Sequence, residues 1–206
     1  MPALNLSTPD DREEIARAEV YGLLASLFYA PPGAALYEQL QVAVTEAPSP
    51  GAFLERSWGA LVAASRRLSL GETRDEYEAL FLGIGKPEVF LYASFFVAGT
   101  LNAKPLVDLR SDLRALGLER PDSVSETEDH IASLCEVMRY LIGGDDLAVS
   151  NLARQQRFYN AHLRPWVDAL CDALDTHPRA DFYRHVGGFA RDFFAIEAQG
   201  FDLLDA

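Results

Sequence analysis

The stretch ETEDHIASLCEVMRYLI, residues 126–142, places three carboxylates and a histidine directly before an apolar run. The residues of that run recur at the spacing of one helix face, and they are Ile131, Leu134, Cys135, Met138, Leu141 and Ile142. Ser125 followed by Glu128 fits the S-x-x-E capping box, in which each side chain accepts from the other residue's backbone N–H. The stretch therefore predicts a helix from about Glu126 to Ile142 with one buried face.

Capping explains the acids of this stretch, but it does not explain His130. Carboxylates are favourable in a first helical turn because they face the positive end of the helix dipole, whereas a protonated histidine is disfavoured there. A metal pair on a helix would place its second ligand three or four residues later, where Ser133 and Leu134 stand. We therefore predict no metal site here, and we leave both a structural role and a recognition role open for His130.

The same helical spacing recurs along most of the chain, with proline and glycine marking the breaks. Leu and Ala dominate the apolar residues while Ile and Thr are scarce, which favours helix over sheet. Residues 89–101, VFLYASFFVAGTL, are apolar on nearly every side and predict a buried helix, with a strand as the competing interpretation. Pro165 is expected to split the pattern at 145–174. These features predict an all-α protein of roughly eight to ten helices.

A polar segment divides the pattern. Residues 119–125 are polar and include Pro121, so they form the predicted boundary within the chain. A chain of 206 residues is long enough for one well-cored helical domain. The alternative is two helical lobes, at about 10–118 and about 131–200, joined by a polar hinge at about 119–130.

Charge restricts the partners of this protein. A formal charge of −13 and a pI of about 4.6 repel nucleic acid and anionic lipid, so we expect a basic partner instead. No apolar run approaches the roughly 18 residues that span a bilayer, and the first residues lack the features of an export signal. Cys135 and Cys171 fall within helical patterns and predict core positions in a reducing compartment. The protein is predicted to be cytoplasmic.

Catalytic motifs are missing around the acidic stretch. Glu128, Asp129 and His130 could act as acids or bases, but no nucleophile elbow, HExxH or P-loop accompanies them. The sequence GIGK at 83–86 lacks the length and the following Ser or Thr of a phosphate-binding loop. We predict no catalytic residue, no metal and no cofactor, with a nucleotide-binding protein or enzyme as a minor alternative.

Several motifs occur in a fixed order along the chain. Y-x-x-L-F-x-G begins at Tyr77, an aromatic-x-Ser-x-aromatic run begins at Tyr92, L-R-x-x-L-x-x-L-G-L begins at Leu109, and E-x-E-D-H begins at Glu126. The last third adds F-x-x-x-H-L-x-x-W, which begins at Phe158, and F-Y-R-x-V. In this order and spacing, from about residue 77 to 194, the sequence resembles the TorD/DmsD family of cytoplasmic chaperones that mature molybdenum enzymes.

The resemblance implies an all-helical protein without a reaction of its own. Members of the family bind the twin-arginine signal peptide, or another part, of an apo-molybdoenzyme until its cofactor is inserted, which prevents premature export. The client here would be of the formate dehydrogenase or DMSO reductase type. Some members form domain-swapped dimers, so a monomer and a swapped dimer are both open. A non-catalytic adaptor that binds mature redox-enzyme subunits is the alternative function.

The resemblance also supplies a candidate client-binding set, centred on the Asp129–His130 pair and the aromatic segment before it. Its members are Tyr77, Leu80, Phe81, Tyr92, Ser94, Phe96, Glu126, Asp129 and His130. In our hypothesis Glu126 or Asp129 pairs with leader arginines, while Tyr77, Phe81 and Tyr92 line the apolar part. The Phe158, His162 and Trp166 stripe is assigned to packing instead.

Two positions depart from the family pattern. Thr127 stands where proline is common, and Phe96 stands where tryptophan is often found. A proline at a helix start fixes φ, so Thr127 is expected to loosen the hinge. These departures put the choice of client in question, not the fold.

Overall fold

The structure is a computed structural model that describes residues 9–46, 54–83, 85–121, 124–144, 146 and 148–204. Ten α-helices and one π-helical turn lie within those ranges, and no β-strand does, which confirms the predicted all-α class. The helices are α1 (Pro9–Tyr29), α2 (Ala34–Val42), α3 (Glu55–Arg67), α4 (Leu70–Tyr77), α5 (Ala93–Ala98), α6 (Lys104–Ala115), α7 (Ile131–Gly143), α8 (Leu152–His162), α9 (Val167–Thr176) and α10 (Phe182–Asp202). None of these helices is long and apolar enough to cross a bilayer.

Helix α1 packs along α7 more extensively than any other helix pair in the described residues. The apolar stripe predicted on α7 supplies one side of this contact, and Ile131, Leu134, Cys135, Met138 and Leu141 are all fully buried. Nearly all buried apolar residues of the described ranges form one cluster. Helices from both sides of the predicted hinge therefore share a core, and the division into two lobes stays a prediction.

A buried carboxylate from α4 caps the last helix. Helix α10 packs on α9, α3 and α4, and its N-cap residue, Asp181, makes no side-chain capping bond. Instead Glu76 accepts from the backbone N–H groups of Asp181, Phe182 and Tyr183 at 2.8–2.9 Å. Because the first N–H groups of a helix have no partner within the helix, this carboxylate satisfies donors that would otherwise be buried unpaired.

An ion pair with a buried carboxylate connects the two longest helices. Arg17 on α1 donates from Nε and Nη2 to the two carboxylate oxygens of Glu197 on α10, at 2.7 and 2.8 Å. Tyr21 donates a third hydrogen bond to Glu197 at 2.9 Å. The bidentate geometry and the third donor meet the hydrogen-bonding needs of a carboxylate that is only 4% exposed.

The predicted start of α7 is wrong. The helix begins at Ile131, and its N-cap is His130, whose Nδ1 accepts from the Ala132 N–H at 3.2 Å. The predicted capping box of Ser125 and Glu128 does not form, because arginine side chains bind the Glu128 carboxylate. The capping sequence is present, but its acid, Glu128, forms tertiary ion pairs instead of capping the helix.

The buried helix predicted over residues 89–101 is also wrong, both in extent and in burial, since residues 97–101 are exposed. Only Ala93–Ala98 is helical, and Tyr92 forms an isolated antiparallel bridge with His130. The backbone of this segment finds its partners elsewhere: Val89 N–H donates to Leu80 O at 2.9 Å, and Leu91 O accepts from Ile131 N–H at 2.8 Å. The hinge therefore supplies the pairing segment that the sequence alone did not reveal.

Glycine and proline interrupt the helices, as the sequence pattern predicted. Helix α4 continues into the π-helical turn Glu78–Leu82, which ends at Gly83. Gly83 has φ +52°, and a Cβ there would lie 2.2 Å from the Lys86 carbonyl oxygen, so only glycine fits. Pro165 falls between α8 and α9, which confirms that it splits the long helical pattern.

Candidate functional site

The end of the predicted hinge is held against the segment that leads into α5. Besides the bond from Ile131 to Leu91, the Ala93 N–H donates to Asp129 O at 3.0 Å. The rings of Tyr92 and His130 lie edge to face, with centroids 5.1 Å apart and planes at 78°. This short pairing fixes the position of the Asp129–His130 pair relative to the aromatic segment, so the structure brings together two motifs about 35 residues apart in the chain.

Asp129 is a capping group for α5. Its side chain is buried, and Oδ2 accepts from the Ser94 N–H at 2.9 Å while Oδ1 accepts from the Thr127 hydroxyl at 2.6 Å. Ser94 lies in the first turn of α5, whose own N-cap, Tyr92, provides no side-chain bond. Asp129 therefore satisfies an orphan N–H of another helix. The Ser94 hydroxyl is buried and has no hydrogen-bond partner among the described residues.

His130 is a neutral structural histidine in this conformation. It is 3% exposed, and burial lowers its pKa to about 4, although Glu126 and Asp129 act in the opposite direction. At neutral pH its Nδ1 is therefore free to accept the capping bond from Ala132. No group of three or more His, Cys, Asp or Glu side chains suited to a metal lies within the described ranges.

Glu126 of the hinge and Tyr92 before α5 form the accessible polar part of the candidate site. Both side chains are half-buried, and the Tyr92 hydroxyl donates to the Glu126 carboxylate. Burial raises the pKa of Tyr92, and the bond to Glu126 raises it further, so the phenol stays protonated and the carboxylate keeps its donor. The Ser125 hydroxyl donates to the other Glu126 oxygen at 3.3 Å. Glu126 can still accept from a further donor, since a carboxylate has about four acceptor sites.

Two arginines bind Glu128, another acid of the hinge. Arg110 donates from Nε and Nη2 to one oxygen of Glu128, at 3.0 and 2.8 Å, and Arg120 approaches the other oxygen at 3.7 Å. Burial alone would raise the pKa of Glu128, but the Arg110 hydrogen bond and the nearby charges lower it. Glu128 is thus an ion-pair residue and not a poised acid or base.

The Y-x-x-L-F-x-G residues lie in the core. Tyr77, Leu80 and Phe81 are all buried, and the Tyr77 hydroxyl donates to Phe28 O at 3.0 Å. The Phe81 ring packs edge to face on Tyr77 and on Tyr183, with centroids 5.0 and 4.9 Å apart. A peptide on the surface does not reach these side chains in this conformation, so their part in client binding stays a prediction that requires them to open.

Aromatic residues after the turn are more accessible. Phe90 and Phe95 stack with centroids 4.0 Å apart, and both are half-buried. Phe96 is also half-buried and stacks on the buried Trp166 at 5.4 Å. Phe158, His162 and Trp166 are buried, as expected for packing, and His162 Nε2 lies 2.8 Å from an Asp112 oxygen.

An apolar groove between α1 and α7 was not predicted from the sequence. This α1–α7 groove has a volume of about 570 Å³, and its apolar lining comes from Ala25, Tyr29, Leu113, Leu118, Pro121, Val124, Ala132, Val137 and Tyr140, together with the hydroxymethyl groups of Ser26 and Ser133. Small residues at neighbouring positions of α1 and α7 create the space. In the sequence, the only signal of the groove is a pair of small residues on each helix, Ala25-Ser26 and Ala132-Ser133, with a tyrosine further along. Such pairs are also common in ordinary helix packing, and the sequence does not show that α1 contacts α7.

Comparison with known proteins shows which family and which proteins this chain is similar to. The profile of the nitrate reductase delta subunit family matches residues 48–172. The chaperone protein TorD of Vibrio cholerae is 28% identical over 204 residues, which cover 91% of this chain and 93% of that protein. The chaperone protein TorD of Aliivibrio fischeri is 28% identical over 127 residues, and the chain spans 59% of the length of that protein. The family match covers more than half of the sequence, and the chain therefore belongs to the nitrate reductase delta subunit family, in agreement with its resemblance to TorD and DmsD.

Proposed function

We propose that this protein is a cytoplasmic maturation chaperone for a molybdenum-dependent oxidoreductase. It binds the apo form of the catalytic subunit, its twin-arginine leader, or both, and releases the client after cofactor insertion. The observation that carries the proposal is the relationship to TorD chaperones along nearly the whole chain. The client is of the formate dehydrogenase or DMSO reductase type.

The hinge geometry favours binding over catalysis. Asp129 caps α5, His130 caps α7, and Glu128 is held by arginines, so each candidate acid or base already has a structural partner. A general acid or base needs a free proton-transfer position within reach of a substrate. The chain therefore acts without a reaction of its own, in keeping with relatives named as chaperones.

Among the nine candidate residues, the accessible ones are the best suited to touch the client. Tyr92, Phe96 and Glu126 are half-buried, whereas the other six are buried. We assign Glu126 to a leader arginine, because a half-buried carboxylate that accepts from two hydroxyls, those of Tyr92 and Ser125, retains acceptor sites for a guanidinium. Asp129 and His130 are positioning residues that hold the Glu126 segment in place. The formal charge of −13 adds long-range attraction for a basic leader.

The test is capture of the client from cells. The tagged full-length protein is isolated from its native cytoplasm under conditions in which molybdoenzymes are made, and co-purifying proteins are identified by mass spectrometry. We expect one molybdoenzyme precursor with its leader uncut. Enrichment of only mature, cofactor-loaded enzyme would support the adaptor alternative and contradict the chaperone. Recovery of no redox-enzyme subunit would contradict both.

A further inference from the structure

We propose that the α1–α7 groove is the place where this protein binds the apolar segment of its client's leader, with the leader's basic residues against the glutamates at the groove's edge. This inference rests on the proposed function and adds a location that the candidate residues from the sequence do not include. It assigns the apolar and the basic parts of one peptide to two kinds of surface on this chain.

The shape of the groove suits large apolar side chains. Ala25 and Ser26 on α1 face Ala132 and Ser133 on α7, and these short side chains leave a volume of about 570 Å³ open between the helices. Volumes of 300–1,000 Å³ are typical of sites that take up an organic ligand or several side chains. An apolar helix face or extended segment laid along the groove would bury surface that water now covers.

Two tyrosines on the groove are accessible as well. Tyr29 is 47% exposed and Tyr140 is 40% exposed. At this exposure both rings can pack on a ligand while their hydroxyls reach water or a peptide group. Aromatic residues of this kind are enriched at the centres of protein interfaces.

The charges at the edge select the occupant. The lining contains three glutamates and one arginine. Arg120 is held by Glu128 and by the Val124 carbonyl, and Glu128 is also held by Arg110, so these charges are already paired. Glu119 has no ion-pair partner among the described residues, and Glu136 has only an exposed contact with Arg139 at 3.3 Å. Such exposed pairs contribute little, so both carboxylates can attract a cation.

This charge pattern favours a basic peptide over a second copy of the chain. A second copy carries −13 itself and would bring acidic surface towards the same glutamates. A segment with arginines before an apolar stretch has the complementary pattern. The hinge also connects the two parts of the site, since Glu126 pairs with Tyr92 while Glu128, two residues later, lines the groove.

The first experiment fills the groove without touching the core. Ser26→Phe and Ser133→Phe place a ring in the space between α1 and α7, and both serines are at least partly exposed. Ser111→Phe is the matched control, because Ser111 is exposed on α6 and does not line the groove. The probe is a fluorescent synthetic peptide with two arginines followed by an apolar segment, measured by anisotropy. We expect Ser133→Phe and Ser26→Phe to weaken binding at least about tenfold, and Ser111→Phe to leave it unchanged.

The second experiment tests the charges. Glu119→Lys combined with Glu136→Lys should weaken binding of the same peptide and reduce the salt dependence of its affinity. Glu38→Lys combined with Asp75→Lys is the control, because it makes the same change in net charge at two exposed positions, on α2 and α4, that do not line the groove. Equal losses in the control and in the groove variant would show that only net charge matters, and would overturn the role of the edge.

The outcomes separate this inference from the proposed function. If Ser133→Phe binds the peptide as well as wild type while wild type still captures the precursor from cells, the groove is not the site but the function stands. If wild type captures no precursor, the proposed function fails and the groove inference fails with it. Analytical ultracentrifugation of the same variants measures their oligomeric state. If wild type is a dimer and Ser133→Phe is a monomer, the groove binds a second copy of the chain and the inference is overturned.

Discussion

His130 and Tyr92 are paired across the only isolated antiparallel bridge within the described residues, and each begins a helix: His130 is the N-cap of α7 and Tyr92 the N-cap of α5. The pairing therefore aligns two helix N-termini from distant parts of the chain. Asp129, next to His130, supplies the capping side chain that Tyr92 cannot. The Asp129–His130 motif, which resembles a recognition site, therefore has a structural role in capping and aligning α5 and α7.

Because His130 is buried at this contact, we expect the stability of the fold to depend on pH through this residue. Burial gives the folded-state imidazole a pKa of about 4, against 6.5 for an unperturbed histidine. Above pH 6.5 the imidazole of His130 is neutral in both the folded and the unfolded state, so its stabilising contribution is fully present. Between pH 6.5 and about 4 the unfolded state binds a proton that the native state does not. The free energy of unfolding therefore decreases as the pH is lowered, by up to about 3 kcal/mol.

The measurement compares wild type with His130→Asn by urea denaturation at several pH values. Asparagine keeps a side-chain acceptor for the Ala132 N–H but cannot be protonated. We expect the stability advantage of wild type at pH 7.5 to shrink steadily towards pH 4.5. His185→Asn, at a partly exposed position of α10, serves as the control. A wild-type advantage that does not change with pH would contradict a buried neutral His130.

Removing the carboxylate of Glu76 should destabilise the whole fold. Glu76→Ala leaves the N–H groups of Asp181, Phe182 and Tyr183 without the acceptor that caps α10. Losing hydrogen bonds to a buried charged acceptor costs about 3 kcal/mol, with a fall in Tm of roughly 6–12 °C for a chain of this size. Asp75→Ala changes the adjacent, exposed acid and should have little effect. Equal melting temperatures for the two variants would show that α10 needs no cap from α4.

Breaking the Arg17–Glu197 pair from one side should be worse than replacing both residues. Arg17→Leu leaves a carboxylate that is 4% exposed with only the Tyr21 hydroxyl as donor, which should cost about 3–5 kcal/mol. The double variant Arg17→Leu with Glu197→Leu removes the uncompensated charge and should recover much of that loss. Chemical denaturation of both variants decides the point: a double variant less stable than Arg17→Leu would mean that the pair itself stabilises the packing of α1 on α10.

The sequence predicted the helices of this protein better than the contacts between them. The stripe on α7 and the break at Pro165 depend on local spacing and proline geometry, and both were correct. The start of α7 was wrong because Glu128, the acid of the apparent capping box, is drawn into ion pairs with α6 and the hinge. Local signals cannot report a partner that folding brings from elsewhere in the chain.

The same limit applies to the candidate site. Tyr77 and Phe81 belong to a motif of the family, but the motif is also what packs a π-helical turn against Phe28 and Tyr183. Sequence alone does not separate a residue that touches a client from one that holds the contacting segment. The α1–α7 groove is the converse case, since its floor consists of short side chains with no motif of their own.

These considerations separate Glu126 from Asp129 in an experiment. Glu126 is half-buried and accepts from the Tyr92 and Ser125 hydroxyls, so Glu126→Gln keeps a hydrogen-bond acceptor for Tyr92 and removes the charge. Asp129 is buried and caps α5, so Asp129→Ala removes the acceptor of the Ser94 N–H. We expect Glu126→Gln to weaken a twin-arginine peptide by about tenfold at an unchanged Tm, because a charge-assisted bond is replaced by a neutral one.

Asp129→Ala should instead lower the Tm, by roughly 2–6 °C for a lost cap of about 1–1.5 kcal/mol, and should weaken the peptide only through the displaced hinge. Differential scanning calorimetry and anisotropy on the same protein preparations give both quantities, with Glu38→Gln on exposed α2 as the charge control. If Asp129→Ala lost peptide affinity at an unchanged Tm, Asp129 would be a contact residue after all. The hinge would then have to open for a leader arginine to reach a carboxylate that is 1% exposed in the closed form.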